Sequence, residues 1–150
     1  FHEIDVRPAG RIARGVRGIK LAAGVKVGGM EVLTHGQTLT TFTENGYGKR
    51  TSIDEYPVQR RGGKGVITIK TNERNGQVVS ILLVDEDDDL MLMTDFGKLI
   101  RMPIEGISVI GRNTQGVKLI GVNAGERVIG AVRLAEKEEN SDADEGPAEA

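Results

Sequence analysis

The chain has 150 residues, no cysteine and no tryptophan, and aromatic residues make up only 3% of it. This composition excludes disulfides, cysteine-ligated zinc and base stacking on aromatic side chains as a main mode of binding. The net charge is −2, but the charges are unevenly distributed along the chain. Residues 1–84 carry 13 Lys and Arg and 7 Asp and Glu, whereas residues 136–150 carry 1 Lys and 7 Asp and Glu. A basic body predicts an anionic partner, although ordinary solubilising charge would give a similar balance.

The first residues, FHEIDVRPAG, contain no initiator methionine and no signal-peptide pattern, and no apolar run approaches the length of a membrane span. We therefore interpret the chain as a piece of a longer cytoplasmic protein that contacts no membrane. Glycine is abundant, at 21 residues, and together with many Val, Ile and Thr residues it predicts short strands joined by tight turns.

The first predicted strands are residues 30–35 (MEVLTH) and 37–43 (QTLTTFT), on either side of a turn at Gly36. In TFTENGYGKRTSI, an Asn-Gly pair lies between two β-prone runs, which is the sequence pattern of a β-hairpin. Residues 66–70 (VITIK) alternate, so Ile67 and Ile69 are predicted to share one face of a strand.

The second half of the chain continues this β pattern. Residues 78–84 (VVSILLV) are apolar on both faces apart from Ser80, which predicts an inner strand buried on both faces. The acidic run 85–89 (DEDDD) lacks the central glycine and the terminal glutamate of a calcium-binding loop, so it is predicted to be a solvated connection. LMLMT (90–94) then turns through residues 95–97 into KLIRM (98–102). The predicted fold class is all-β.

An internal repeat relates these elements. Basic residues followed by a Gly-Val pair recur in GRIARGV, RRGGKGV and GRNTQGV, which end at Val16, Val66 and Val117, with spacings of 50 and 51. A shift of 51 also places TENGYGKR (43–50) on TDFGKLIR (94–101). Such a period indicates structurally equivalent units.

We predict repeat units around residues 1–33, 34–84 and 85–135, which together form one domain over residues 1–135. All-β units of about 50 residues are typical of propeller-like blades, and so few blades would form an incomplete ring. Residues 136–150 are acidic and nearly free of large apolar side chains, so they are predicted to be a disordered tail.

Motifs that suggest catalysis or nucleotide binding fail on their context. Neither TENGYGKRT nor RRGGKGV has the spacing of a phosphate-binding G-x-x-x-x-G-K-[ST] loop ahead of a helix. The kinase-like DFG of residues 95–97 lies in a predicted hairpin and lacks its partner loops. No group of ligands surrounds His2 or His35, and no base accompanies Tyr47 or Tyr56. The sequence therefore predicts no catalytic residue, no metal site and no cofactor in this chain.

The basic, glycine-rich loops remain. In a blade arrangement, equivalent loops would place their cations along one rim, and glycines would let backbone N–H groups approach a polyanion. Such a rim, with few aromatic residues, suits the phosphates of double-stranded DNA. Plain solvated turns, or a scaffold whose rim binds an acidic protein, are the alternatives. The predicted DNA-binding residues are Arg11, Arg14, Arg17, Lys49, Arg50, Gln59, Arg60, Arg61, Gly62, Gly63, Lys64, Gly65, Arg101 and Arg112.

These residues also resemble a known family. QRRGGKG (59–65) matches the heptapeptide box of the DNA gyrase A C-terminal domain, and ENGYGKRT (44–51), SVIGRNTQGVKLI (108–120) and the acidic end resemble the last blades of that domain. The resemblance covers residues 1–135 and implies a β-pinwheel, a propeller relative whose blades exchange strands and whose basic perimeter wraps DNA.

The resemblance further implies a parent enzyme, a bacterial type IIA topoisomerase of the cytoplasm and nucleoid. In that family an A₂B₂ assembly of two A-type and two B-type gyrase subunits uses ATP and magnesium elsewhere in the complex to introduce negative supercoils. The tyrosine that breaks DNA in the family matches neither Tyr47 nor Tyr56, so this chain is expected to be non-catalytic.

Two alternatives stay open at this point. The family's box normally belongs to the first blade, whereas here the final-blade motif GRNTQGV follows after one repeat, so residues 59–65 are either the primary box or a late-blade copy. The C-terminal domain of the A-type topoisomerase IV subunit is also similar, but it tends to lose the box. QRRGGKG and NGYGKRT favour gyrase.

Overall fold

All regular strands of the described residues lie in two antiparallel sheets, each built on a β-hairpin. The computed structural model describes residues 1–134. The strands are β1 (Thr38–Thr43), β2 (Tyr47–Ser52), β3 (Val78–Val84), β4 (Asp89–Thr94), β5 (Leu99–Pro103), β6 (Val117–Lys118) and β7 (Val128–Leu134). Their order is β3-β1-β2-β6 in one sheet and β5-β4-β7 in the other. The all-β prediction is confirmed.

The two hairpins are built alike. β1 begins at Thr38 and β4 at Asp89, 51 residues later, and short 3-10 turns follow β2 at Ile53–Glu55 and β5 at Ile104–Gly106. The β1–β3 pairing slips after Phe42, and the β4–β7 pairing slips at the equivalent point after Met93. The sequence repeat is therefore a repeat of backbone geometry, including its irregularities.

The two sheets share one hydrophobic interior. Buried side chains from both hairpins, among them Phe42, Leu90 and Leu92, pack with Val84 and Val128 from the flanking strands. Each such side chain contributes roughly 1.5–3 kcal/mol when it leaves water completely. This shared interior fixes the position of one hairpin relative to the other, and with it the loops that follow each hairpin.

Three strand predictions differ from the structure: two of the strands do not form, and the third is less buried than predicted. Residues 30–35 form no strand, and neither do residues 66–70, where Ile67 is 60% exposed and Ile69 only 7%. A strand needs a continuous ladder with a neighbour, and within residues 1–134 the backbone of residues 66–70 donates only one hydrogen bond, from Lys70 to Thr114 O. β3 forms as predicted but is only partly buried, because it is an edge strand of its sheet with a strand neighbour on one side alone. Its other contacts are with β7 of the second sheet.

The predicted disordered tail at 136–150 lies outside the described residues. Across residues 1–134, no helix is long and apolar enough to cross a membrane. In the same part of the chain, no three His, Asp or Glu side chains come together in an arrangement that could hold a metal ion.

Candidate nucleic-acid interface

Three loops of equal length carry most of the predicted site residues. We call them the first, second and third Gly-Val loops, and they comprise residues 10–16, 60–66 and 111–117. The glycine of each closing Gly-Val pair has a positive φ, 75° at Gly15, 77° at Gly65 and 75° at Gly116. Residues with a Cβ rarely adopt this conformation, so the shared glycine sets the same turn in all three loops.

An equivalent backbone hydrogen bond joins the second and the third Gly-Val loop to the segment that follows the preceding loop. Lys20 N, just after the first loop, donates to Gly63 O of the second at 2.8 Å. Lys70 N, just after the second loop, donates to Thr114 O of the third at 2.8 Å. Each loop therefore lies directly against the segment that follows the preceding loop, and the three loops form a continuous series.

An arginine occupies the second position of every Gly-Val loop, and in two of them it joins neighbouring segments. Arg61 donates from Nη1 to Arg17 O and from Nε to Asp5 O, both at 3.1 Å. Arg112 donates from Nη1 to Ile67 O at 3.0 Å, and its guanidinium lies 5.8 Å from the centre of the Tyr56 ring. These two predicted DNA-binding residues are therefore engaged with the protein's own backbone.

Arg11, the equivalent residue of the first loop, makes no side-chain hydrogen bond within residues 1–134. The same holds for four other predicted site residues, all of them exposed: Arg14, Arg17, Gln59 and Arg60. Lys64 is exposed in the same way. Arg60 and Arg61 also line, with Asp5, an open depression of about 310 Å³. The backbone of the second loop, at Gly62, Gly63 and Gly65, connects these cations.

The structure contradicts the surface placement of Lys49 and Arg50. Lys49 is 0% exposed, and its Nζ donates to Gly111 O and Arg112 O at 2.6 Å and to Thr114 Oγ1 at 3.1 Å. Burial lowers the pKa of Lys49 to about 8. All three N–H groups of its ammonium have acceptors in the third Gly-Val loop, so Lys49 holds that loop from the protein interior. It cannot reach a DNA phosphate in this structure.

Arg50 is also internal, with 5% exposure. Its Nε donates to Ile107 O at 2.8 Å, and its Nη1 lies 3.5 Å from Glu86 Oε1. The basic pair after the hairpin turn has the sequence pattern of surface charge, but both side chains point at carbonyl groups that belong to residues 107–112. A local pattern cannot show which distant carbonyls a side chain will meet.

Arg101 is placed apart from the Gly-Val loops. It lies on β5 in the second sheet, and its Nε donates to Asp89 Oδ2 of β4 at 2.8 Å. Its side chain is partly exposed, but the paired carboxylate offsets its charge. We therefore remove Lys49, Arg50 and Arg101 from the interface and keep the cations of the Gly-Val loops.

A family model described as DNA gyrase C-terminal domain, beta-propeller, matches the chain at residues 5–33, 37–85 and 88–135. The chain belongs to this family. The matched segments contain all three Gly-Val loops and both hairpins. The family resemblance expected from QRRGGKG and GRNTQGV is thus confirmed.

A similar full-length protein is the A-type DNA gyrase subunit of Salmonella typhimurium, which is 49% identical over 144 residues, 96% of this chain and 16% of that protein. The chain thus spans only a small part of this relative. A solved DNA gyrase A C-terminal domain matches with a TM-score of 0.75 at 28% identity, over 87% of this chain and 45% of the other. This match confirms the β-pinwheel fold.

The C-terminal domain of DNA topoisomerase IV matches with a TM-score of 0.77 at 20% identity, over 87% of this chain and 41% of the other. At that identity the likeness shows the fold alone. Gyrase therefore fits this chain better than topoisomerase IV does, as the box at residues 59–65 indicated.

Proposed function

We propose that this chain is a non-catalytic module that binds and wraps double-stranded DNA. The observation that carries the proposal is the series of Gly-Val loops, which presents exposed cations on adjacent turns. Arg14 and Arg17 lie in and just after the first loop, and Arg60 and Lys64 lie in the second; all four are exposed. Hydrogen bonds from Lys20 N to Gly63 O and from Gly62 N to Gly18 O hold these two segments together. A row of fixed turns with exposed cationic side chains suits the regularly spaced phosphates of a duplex and reads no base sequence.

The parent protein proposed from the relatives is the A-type subunit of a bacterial DNA gyrase. In it, this module would pass wrapped DNA to an A₂B₂ assembly that contains the B-type gyrase subunits and a second copy of the parent. ATP and magnesium would act elsewhere in that assembly, and the protein would work in the cytoplasm at the nucleoid. The module supplies DNA geometry, and bond breakage belongs to other parts of the parent.

Wrapping can be tested by ligating nicked plasmid circles in the presence of increasing amounts of the 150-residue chain. Wrapping predicts ligated circles whose linking number changes progressively as the protein concentration increases. Binding without any change of linking number would remove wrapping and leave only DNA binding.

The alternative function, a scaffold for an acidic protein, can be separated by competition. Duplex DNA at physiological salt should displace a fluorescent polyglutamate from the chain, and polyglutamate should displace DNA only weakly. The opposite order of affinity would favour the scaffold.

A further inference from the structure

A cluster outside the Gly-Val loops combines one aromatic residue with two cations. We call it the Tyr47 cluster, and it consists of Tyr47, Arg74 and Lys118. Arg74 Nε donates to the Tyr47 hydroxyl oxygen at 3.1 Å, and the guanidinium carbon lies 5.0 Å from the centre of the ring. Lys118 is the cross-strand partner of Tyr47 in the β2–β6 pair. The hydrogen bond from Arg74, and the charges of Arg74 and Lys118, lower the pKa of Tyr47.

The turn that carries Arg74 is held by side-chain amides. Asn45 Nδ2 donates to Arg74 O at 3.2 Å, and Arg74 N donates to Asn72 Oδ1 at 3.0 Å. Asn75, which is 0% exposed, donates from Nδ2 to Lys70 O at 2.8 Å and to Gln115 O at 3.0 Å. The last of these bonds joins the turn directly to the third Gly-Val loop.

The remaining polar groups of the Tyr47 cluster are available to a ligand. Arg74 and Lys118 are exposed, and within residues 1–134 neither the Arg74 Nη groups nor the Lys118 ammonium makes a hydrogen bond. The Tyr47 oxygen accepts from Arg74, so its O–H can donate elsewhere. Of the neighbouring carboxylates, Glu44 is bound to Gln77 N and to Arg127, and Glu73 is exposed to solvent.

The third Gly-Val loop lacks cations that the second loop has. Gly111 and Gln115 stand at the positions of Arg60 and Lys64, and the guanidinium of Arg112 is engaged with Ile67 O and Tyr56. Two exposed cations are thus missing from the third loop, and the Tyr47 cluster supplies two beside it. Arg74 lies on the turn bonded to that loop, and Lys118 lies on β6 directly after it.

We propose that the Tyr47 cluster is a phosphodiester-binding site that continues the DNA-contacting surface past the third Gly-Val loop, an inference that rests on the proposed function. Arg74 and Lys118 each neutralise a backbone phosphate, and Tyr47 orients the guanidinium and donates its hydroxyl proton in a hydrogen bond to a phosphate oxygen. The site reads no base, because it offers only donors to phosphate and no element shaped to enter a groove.

The test is the dependence of affinity on salt, measured by fluorescence anisotropy with a mixed-sequence duplex and the full 150-residue chain. Each neutralised phosphate contributes about 0.9 to the slope of log affinity against log salt, so the double variant Arg74→Ala/Lys118→Ala should lower the slope by about 1.8. The charge-conserving pair Arg74→Lys/Lys118→Arg should keep the wild-type slope. Tyr47→Phe should weaken binding severalfold at an unchanged slope, because it removes one hydrogen bond and no charge.

Arg101→Ala is the matched control, since it removes an arginine already paired with Asp89 in the other sheet, and its slope should fall by less than half of the double variant's loss. If the double variant does not fold, Lys118→Ala alone should lower the slope by about 0.9. If the double variant folds and keeps the wild-type salt slope, the phosphate-binding role of the Tyr47 cluster is wrong, whereas the proposed function still holds. A wild-type chain without salt-dependent DNA binding would overturn both.

Discussion

Two arginines that stand side by side in QRRGGKG have different surroundings. Arg60 is exposed and makes no hydrogen bond in the described part of the chain, whereas Arg61 spans two backbone carbonyls, Arg17 O and Asp5 O. The planar guanidinium can donate to both at once, and an ammonium cannot keep that geometry. In the second and third Gly-Val loops, the recurring arginine therefore bonds to neighbouring backbone. In the second loop, the preceding Arg60 is the cation whose side chain is left to solvent.

We expect Arg61→Lys to keep the salt slope of DNA binding but to speed amide hydrogen exchange at Lys20 and Gly62, whose N–H groups bond across the same contact. Arg60→Lys, the matched control, should change neither quantity. Unaltered protection of both amides in Arg61→Lys would show that the guanidinium does not position the loop.

Lys49 gives a second prediction at the residue scale. Lys49→Met leaves Gly111 O and Arg112 O without their donor, so the free energy of unfolding should fall by roughly 1–3 kcal/mol. The control is Ile100→Met, since Ile100 is the equivalent residue of the second hairpin, and an apolar exchange of similar volume should cost less than about 1.5 kcal/mol. Equal stabilities of the two variants by urea unfolding would contradict the role assigned to Lys49.

At the scale of elements, the Gly-Val loops share a backbone turn but differ in what surrounds it. A Cβ on Gly116 would lie 2.8 Å from Gly48 O, whereas a Cβ on Gly65 would meet only the end of Ile19 at 3.5 Å. Gly65→Ala should therefore lower the free energy of unfolding only by the cost of a left-handed backbone conformation at alanine, roughly 1–2 kcal/mol. Gly116→Ala should lower it clearly more, because its Cβ would also clash with Gly48 O. Thermal unfolding of the two variants checks this order, and equal losses would mean that β2 and the third loop are not in close contact.

A buried carboxylate links the second hairpin to the segment before β7. Glu126 accepts from Asn123 N and Thr94 Oγ1, both at 2.8 Å, and from Lys98 Nζ at 3.0 Å. These bonds, that from Asn123 foremost, lower the pKa of Glu126 to about 2. A depressed carboxyl pKa means that the unfolded chain binds more protons, so the stabilisation is complete above about pH 4.5 and is lost as the pH falls through 2.

Glu126→Gln should therefore be less stable than the wild type at pH 7, and the difference should shrink between pH 4.5 and pH 2. Urea unfolding at a series of pH values measures it, with the exposed Glu105→Gln as the control. A gap that stays constant over this range would rule out the ionised carboxylate as the source of the stability.

How far the sequence predicts these elements depends on whether their partners are local. The hairpin at Asn45-Gly46 follows from neighbouring residues, and the 51-residue repeat follows from comparing the sequence with itself. Both appear in the structure. The extended run 66–70 has the right residues for a strand but no neighbour with a ladder. The residues next to Lys49 in the sequence are typical of a surface turn, yet the carbonyl groups that its ammonium contacts lie some 60 residues further along the chain. The Tyr47 cluster likewise depends on a β2–β6 pairing that no local pattern shows.

At the scale of the whole molecule, the basic loops and the acidic end of the chain carry opposite charges. Residues 136–150 carry 7 Asp and Glu against 1 Lys. A tethered acidic segment competes with DNA for a basic surface within its reach. Deleting residues 136–150 should tighten DNA binding at low salt, and the gain should vanish at high salt because the interaction is screened. Identical affinities with and without these residues at low salt would exclude such competition.

The exposed cations of the second Gly-Val loop are proposed to hold the phosphate backbone of DNA, and the wrapping function depends on this contact. The measurement that tests it most directly is the salt slope of duplex binding for Arg60→Ala/Lys64→Ala beside the wild type. Two lost phosphate contacts predict a slope lower by about 1.8 and a loss of affinity that is alike for duplexes of different sequence. An unchanged slope would mean that this loop never touches the DNA backbone, and the DNA-binding role of residues 59–65 would have to be abandoned.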